Sequence, residues 1–549
     1  MINESSDGKS HGGHTYASRR AFLAGMGTLA AGVAAGGIAA EAAPASGVGP
    51  AGEMVSRPNI ILFITDQERG PMHWPADWAD KNLPNRRRLT EHGLSFENAF
   101  CSAAMCSPSR STFFTGKYPA EHGVTATLTE GGTVSPTEKT LPVTEQNMAK
   151  LLRTAGYRVE YRGKWHMSKG ADGHTPSPKD IAAYGFDGWK APDFGGDTKP
   201  ENFGGGCADH DGSVTEQAMN FLKSDAAQDG PFALVVSLAN PHDILSFPKS
   251  WNEHMGDCDN YASDAPAAFN QGIGLPTSYT ENLAFNHKPT AQVMSQVLLA
   301  GALGILPTAA DATDYVNFYA YLHKVVDQNL GEVLDALESK PAVYRNTVVV
   351  RISDHGEMGM SHGGLRQKTF NAYEETLRVP LIVSNPQMFP RGARTNALAS
   401  LVDLMPTLAS LAAVPDRDEF TFRGTDLMPV IADAVRHPDR PTTTAQDSVL
   451  FTFDDINTAA PNGQHIVGEP NHIRALRDDR WKYTVYFDPD GMVRAQRELY
   501  DLRLDPNELH NLADPTAPGY APQQVSVMQG KLDAKMAATH TAPHRGAMR

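Results

Sequence analysis

Pro58-Asn59-Ile60-Ile61-Leu62-Phe63-Ile64-Thr65 is an unbroken, β-branched apolar run that ends in Asp66-Gln67. Without polar alternation it reads as a strand buried on both faces, as in a parallel sheet covered by helices. Thr347-Val348-Val349-Val350-Arg351-Ile352-Ser353 has the same character and ends in Asp354-His355, followed by Gly356-Glu357. Phe232 to Leu238 is a third such run and leads to Asn240-Pro241-His242-Asp243, while Tyr157 to Tyr161 runs into Gly163-Lys164-Trp165-His166. Helical patterns alternate with them, at Thr144 to Thr154 and over residues 312–338, where Tyr315, Phe318, Leu322, Val326, Leu330, Val333 and Leu337 share one face. The expected fold is therefore α/β, a large central and mostly parallel β-sheet flanked by helices. In such sheets ligands collect beyond the carboxyl ends of the strands. Asp66, Gln67, Asp354 and His355 at two strand ends thus form a candidate cation site, although a lone Asp in that position is more often a helix cap.

The rest of the composition narrows the class. A chain of 549 residues, 41% hydrophobic and 20% charged, suits a globular enzyme with one large core or two unequal ones. Its formal net charge of -15 argues against a nucleic-acid partner, which needs a basic surface. Four cysteines, Cys101, Cys106, Cys207 and Cys258, are too few for a disulfide-built scaffold. At the N-terminus Ser18-Arg19-Arg20-Ala21-Phe22-Leu23 opens an uncharged Ala/Gly-rich run to Ala40, followed by Ala40-Glu41-Ala42. It resembles a twin-arginine export signal with a small-residue cleavage site. The expectation is an exported protein, periplasmic or extracellular, with no stable membrane anchor and with residues 1–56 outside the fold. Polar, Pro-containing residues 438–444 suggest a linker, dividing a catalytic domain at 57–440 from a C-terminal subdomain at 441–549. That subdomain reads as a small antiparallel sheet (Ile473 to Leu476, Trp481 to Tyr486, Glu498 to Leu502) with a terminal helix near 522–537.

The chemistry centres on Ala104-Met105-Cys106-Ser107-Pro108-Ser109-Arg110-Ser111-Thr112-Phe113-Phe114-Thr115-Gly116. A thiol-phosphatase loop would place its arginine six residues after the cysteine, where Thr112 stands. A zinc site would want a Cys or His two to four residues away, and Cys101 is the nearest, with no His between. The string instead resembles the type I sulfatase signature, C-x-P-x-R followed by x-x-apolar-apolar-T-G, and Gly163-Lys164-Trp165-His166 resembles the second signature of that family. The Glu498-Leu499-Tyr500-Asp501-Leu502 run and Asp505-Pro506-Asn507-Glu508 are similar to its C-terminal subdomain.

The resemblance implies an alkaline-phosphatase-like fold and hydrolysis of a sulfate monoester, aryl or alkyl, or of a saccharide sulfate. It also implies that a maturation enzyme converts Cys106 to Cα-formylglycine, whose hydrate is the nucleophile. Asp66, Gln67, Asp354, His355 and residue 106 would hold a divalent cation, Ca²⁺ first and Mn²⁺ next. Arg110 would orient the diol, Lys164 would neutralise sulfate oxygens, and His166 would take the diol proton when the sulfated intermediate eliminates. His242 and Lys368 would serve the leaving oxygen. Many sulfatases carry Asp where Gln67 stands and Asn where His355 stands. Gln and His occur in relatives that hydrolyse phosphonate monoesters and phosphodiesters, the competing reading; a third is a non-catalytic binding protein that kept the fold. With Cys106 converted, at most one intrachain disulfide remains among the other three cysteines. His122, His362 and Asp403 read as structural, and Asp209-His210-Asp211 as a solvated loop.

Overall fold

The computed structural model describes residues 52–70, 73–129, 138–455, 466–544 and 546–548. Of the expected export signal and lead-in, residues 1–51 lie outside the described residues, whereas the end of the lead-in belongs to the fold: Gly52 and Glu53 donate their N–H groups to the Val435 and Gln387 carbonyls and Val55 packs on the main core. The main sheet has seven strands: β1 (Asn59–Asp66), β2 (Gly93–Phe100), β3 (Arg158–Gly163), β4 (Phe232–Pro241), β5 (Thr347–Ser353), β6 (Leu381–Ser384) and β7 (Ala393–Ser400). Their order is β3-β4-β1-β5-β6-β2-β7, with β6 antiparallel to both neighbours and the other pairs parallel. The three apolar runs are thus three adjacent interior strands, and every residue of β1, β4 and β5 is buried. Alternation along β1 serves two cores: Ile60, Leu62 and Ile64 pack into one and Ile61 and Phe63 into the other. This α/β architecture is the one expected, and it brings the carboxyl ends of β1, β3, β4 and β5 together.

Helices cover both faces, among them α1 (Cys106–Thr115), α2 (Met148–Thr154), α3 (His210–Lys223), α4 (Thr290–Leu303) and α5 (Ala309–Glu338). Helix α2 starts at Met148 rather than Thr144, because the Asn147 side chain accepts the N–H groups of Ala149 and Lys150 and ends the preceding turn. The third strand runs on to Gly163, two residues past Tyr161, in register with Ser237 of β4. Asp209-His210-Asp211 is not a solvated loop. It opens α3, and Asp211 is 1% exposed, its two oxygens accepting the N–H groups of Ala239 and Asn240. Helical propensity after His210 and the orphan amides at the end of β4 together draw that carboxylate inward, with its pKa raised to about 7 by burial and the nearby Asp243. One disulfide joins Cys207 to Cys258, leaving Cys101 and Cys106 free. No helix among the described residues is long and apolar enough to cross a membrane.

The C-terminal sheet has four antiparallel strands, not three: β8 (Ser448–Phe453), β9 (His472–Asp478), β10 (Trp481–Phe487) and β11 (Gln496–Asp501), in the order β11-β10-β9-β8. One face of it, through Val449, Phe451, Phe453, Ile473 and Ala475, joins the main core, and the other packs on Met528, Leu532 and Met536 of α6 (Pro522–Thr539). Residues 50–549 accordingly form one compact unit. A buried ionic group pins the sheet to the loop after β5: Lys482 Nζ lies 2.5 Å from Glu508 Oε1 and 3.4 Å from Glu374 Oε1. Replacing Lys482 with Met should lower stability by about 3–5 kcal/mol, because both carboxylates lose a buried partner. The check is the urea midpoint at unchanged slope; a shift within error would remove this group from the account.

Candidate active site

Helix α1 begins at Cys106, and all ten of its residues are buried. Cys106 and Arg110 are four apart and share one helix face. The thiol sits in the first turn, where the backbone N–H groups and the dipole favour negative charge. Arg110, fully buried, spends its guanidinium on the two strand-end carboxylates: Nε donates to Asp354 Oδ2 at 2.9 Å and Nη2 to Asp66 Oδ2 at 3.0 Å. Nη1 donates to Ser237 Oγ at 2.8 Å and to the Lys164 carbonyl at 3.2 Å. Arg110 therefore positions the carboxylates, and its bonds go to them rather than to residue 106.

Asp66, Cys106, Asp354 and His355 bring one ligand atom each within 4.8 Å of one another. His355 Nδ1 is 3.1 Å from the Gly356 carbonyl, which assigns it the proton and leaves Nε2 free to ligate; Nε2 lies 3.6 Å from Asp354 Oδ1, 3.8 Å from Asp66 Oδ1 and 3.3 Å from Cys106 Sγ. The electrostatics favour a cation at this point. Burial opposes ionisation of Asp66, but Lys164, His242, Arg110 and His355 together hold its carboxyl well below the usual range. Burial and the Asp66 charge push Asp354 up to about 7. Two carboxylates in one dry pocket repel, and a divalent ion between them relieves the repulsion. The donor set thus fits a divalent metal. Gln67, the remaining expected ligand, turns its Oε1 to Lys368 Nζ, and its Nε2 donates to Glu357 and Gln367.

Gly163 brings Lys164 in. Its φ is +98°, and a Cβ there would stand 2.0 Å from the Ser237 carbonyl, so no other residue fits the turn. Lys164 Nζ lies 2.7 Å from Asp66 Oδ2, 3.8 Å from Cys106 Sγ and in contact with the Gly195 carbonyl. Burial and Asp66 both oppose a Cys106 thiolate, yet Lys164, Lys368 and His355 lower the thiol well below its ordinary value. His242 Nε2 is 4.0 Å from Asp66 Oδ1; burial, then Lys164, lower its pKa to about 4 against the pull of Asp66. His166 joins the group differently: its Nε2 bonds the Leu128 carbonyl at 2.5 Å, and its buried Nδ1 has no hydrogen-bond partner. An imidazole so held has a lone pair to accept a proton.

Cys106, His166, His242, Gln367 and Lys368 floor a cavity of about 170 Å³, whose walls are Leu298, Leu299, Ala302 and Leu303 of α4 with Leu245. The sequence marks residues 193–213 and 255–310, the latter with an apolar helix-like segment near 290–306, as long stretches of the kind that form binding walls, and α4 supplies that wall. It does not single out Asp193, which accepts the N–H groups of Trp165 and His166 and fixes the Lys-Trp-His turn. His122, His362 and Asp403 are buried in supporting contacts, His362 stacked on Tyr373 and paired with Glu281 at 2.6 Å.

The sulfatase family profile matches residues 58–414. The chain belongs to the sulfatase family. A second profile, N-sulphoglucosamine sulphohydrolase, C-terminal, matches residues 362–538. An ulvan-active sulfatase of Formosa agariphila is 28% identical over 500 residues, 88% of this chain and 80% of the relative. Among solved structures, a protein in complex with its substrate D-glucosamine-2-N,6-O-disulfate has a TM-score of 0.64 at 21% identity, covering 88% of this chain and 98% of that one. The phosphonate monoester hydrolase of Agrobacterium radiobacter has a TM-score of 0.58 at 20% identity, covering 88% and 96%. The sulfatase family generally uses a divalent metal and formylglycine, and the buried Asp66, Cys106, Asp354 and His355 form a group that could hold a metal ion. In the metal-loaded protein Asp354→Ala should weaken metal binding by more than the roughly 10–100-fold typical of losing a residue that only orients a ligand. Elemental analysis after exhaustive dialysis reads this; unchanged metal content would rule Asp354 out as a ligand.

Proposed function

We propose that this sulfatase hydrolyses an aryl or alkyl sulfate monoester to alcohol and inorganic sulfate, with residue 106 acting as a formylglycine hydrate on a divalent cation. The observation that carries the reading is the convergence of Cys106, His166, His242 and Lys368 on one cavity, with Cys106 also a member of the Asp66-Asp354-His355 group and the buried Lys164 Nζ 3.8 Å from its sulfur. Ca²⁺ is the first candidate ion and Mn²⁺ the second, since a His and a Gln amide accompany only two carboxylates. The cation would be held by Asp66, Asp354 and His355, with Gln67 Oε1 as a further oxygen, and would supply positive charge to the sulfuryl oxygens.

The chain's own residues do the remainder. Lys368 brings an ammonium group to the cavity and Lys164 holds a second behind Cys106, against Asp66, where the oxygens of a sulfate ester need charge neutralised. His242 carries a ring N–H to the departing oxygen. His166, with Nε2–H fixed on the Leu128 carbonyl, offers Nδ1 as the base that restores residue 106. The α4 leucines give the cavity an apolar side that suits an aryl or alkyl group. Gln67 and His355 support the second reading, phosphonate monoester or phosphodiester hydrolysis, as does the fold shared with the phosphonate monoester hydrolase. Saccharide sulfates are supported by the names of the ulvan-active and glucosamine-disulfate relatives. The expected route, export by a twin-arginine signal after Cys106 has been oxidised by a maturation enzyme, belongs to the same proposal.

Two experiments test it. On protein matured in its native host, nitrophenyl and alkyl sulfates should turn over faster than phenyl phosphonate or a phosphodiester, and the tryptic peptide spanning residue 106 should carry the aldehyde mass. An unconverted thiol would sink both hydrolase readings, and a preference for the phosphonate would select the second. Separately, His242→Ala should slow alkyl sulfates by about 10²–10⁴-fold and nitrophenyl sulfate far less, because only a basic alkoxide needs a proton as it leaves. Equal losses on both substrates would remove His242 from that role.

A further inference from the structure

Glu357 lies just beyond the strand-end pair Asp354-His355 and is 0% exposed, standing behind the catalytic cavity rather than in its wall. Four groups donate to its carboxylate, all of them neutral. Oε1 takes the Gln367 N–H at 3.0 Å, the Gly359 N–H at 3.1 Å and the Tyr315 hydroxyl at 2.7 Å, and Oε2 takes Gln67 Nε2 at 2.5 Å. Backbone amides only donate, so whatever stands at the Oε1 position must be an oxygen. The Oε2 position alone is open to choice, and the atom there decides which way the Gln67 amide turns.

The other end of that amide is equally constrained. Gln67 Oε1 accepts from Lys368 Nζ, an ammonium that only donates. The Gln67 side chain is thus held between an acceptor, Glu357, and a donor, Lys368. One orientation satisfies both, with nitrogen toward Glu357 and oxygen toward Lys368, which lines the catalytic cavity. The backbone is held as firmly. Gln67 and Gln367 have φ of +65° and +64°, a region that residues with a Cβ seldom adopt and that persists where the surrounding bonds over-determine it. The Gln67 N–H donates to Asp354 Oδ1 at 3.1 Å, and its carbonyl accepts the hydroxyl of Tyr319 at 2.6 Å, one turn of α5 beyond Tyr315. Glu357 joins the two strained residues by taking the side chain of one and the N–H of the other.

We infer that Glu357 is a positioning residue: it sets the polarity of the Gln67 amide, so that oxygen rather than NH2 is presented to the cation, and it fixes Lys368 through the neighbouring Gln367 N–H. The inference rests on the proposed reading of Asp66, Gln67, Asp354 and His355 as the divalent-metal group. Glu357→Gln would keep the shape and reverse the polarity. The three donors at the Oε1 position would claim the new amide's oxygen, leaving its NH2 against the NH2 of Gln67, and turning Gln67 over would only move the conflict to Lys368. Adding Gln67→Glu removes the conflict, because a carboxylate accepts at both ends.

Mn²⁺ provides the test, since its EPR signal separates free from bound ion and no turnover is needed. In the full chain matured in its native host and dialysed free of metal, Glu357→Gln should weaken Mn²⁺ binding about 10–100-fold, the loss typical of removing a group that orients a metal ligand. Gln67→Glu made in that background should raise the affinity by at least about tenfold more than Gln67→Glu made in the wild type, where it sets two carboxylates against each other; the double-mutant cycle separates this coupling from the added ligand charge. Equal effects in the two backgrounds would overturn the inference, as would unchanged Mn²⁺ affinity in a folded Glu357→Gln protein. If the single Glu357→Gln variant does not fold, the double variant should, having regained complementary partners, and a double variant that stays unfolded would count against the inference equally. A wild-type chain that takes up neither Mn²⁺ nor Ca²⁺ would overturn the metal reading itself and this inference with it.

Discussion

One buried guanidinium organises the catalytic end of this molecule. Asp66 and Asp354 close adjacent strands, β1 and β5, which pair in parallel from Asn59–Thr347 to Thr65–Ser353. Two carboxylates at neighbouring strand ends, both 0% exposed, would force each other to protonate. Arg110 opposes this by bridging them, and α1 carries it there from a position four residues beyond Cys106. The same contact that makes the carboxylates tolerable also sets the distance between the nucleophile's position and the ligand atoms. A break in it would strand a buried charge at a cost far above that of a surface pair.

The other catalytic groups reach this anchor through backbone devices. The Gly163 turn delivers Lys164, and Asp193 holds the amides of Trp165 and His166. Asp211 and Asp243 do similar work for His242: Asp211 accepts the Ala239 and Asn240 amides at the end of β4, while Asp243 accepts those of Gly204 and Gly205 and the Tyr261 hydroxyl. The loop over residues 193–213 is thereby tied to the strand ends at several points, and the Cys207–Cys258 bridge ties it to the next long loop. Long loops at the catalytic edge of an α/β sheet act as walls only if such bonds hold them.

Much of the fold was legible because the central strands are buried on both faces. Continuous runs such as Ile60 to Ile64 and Val348 to Val350 admit no other placement in a chain of this size. Outside the central sheet the pattern is weaker. β8, Ser448–Phe453, is buried throughout but short and flanked by polar residues on both sides, and the subdomain boundary near residue 440 gave no hint that one face of the C-terminal sheet enters the main core. Asp211 was misread because its partners, two amides of β4, lie nearly thirty residues away and only folding brings them near.

The sequence by itself determined the chemistry available: a cysteine and arginine at helical spacing, strand ends bearing Asp, Gln and His, a Lys-Trp-His turn and the motif identity that joins them. Local spacing encodes which groups share a helix face or a strand end, since those periods are fixed by backbone geometry. Only the tertiary structure decided what each group touches. It turned Arg110 toward the carboxylates, engaged Gln67 with Lys368, left His166 Nδ1 without a partner, and set the leucines of α4 opposite Cys106. Those contacts join segments hundreds of residues apart, and their geometry depends on strand order and packing, which no local pattern carries.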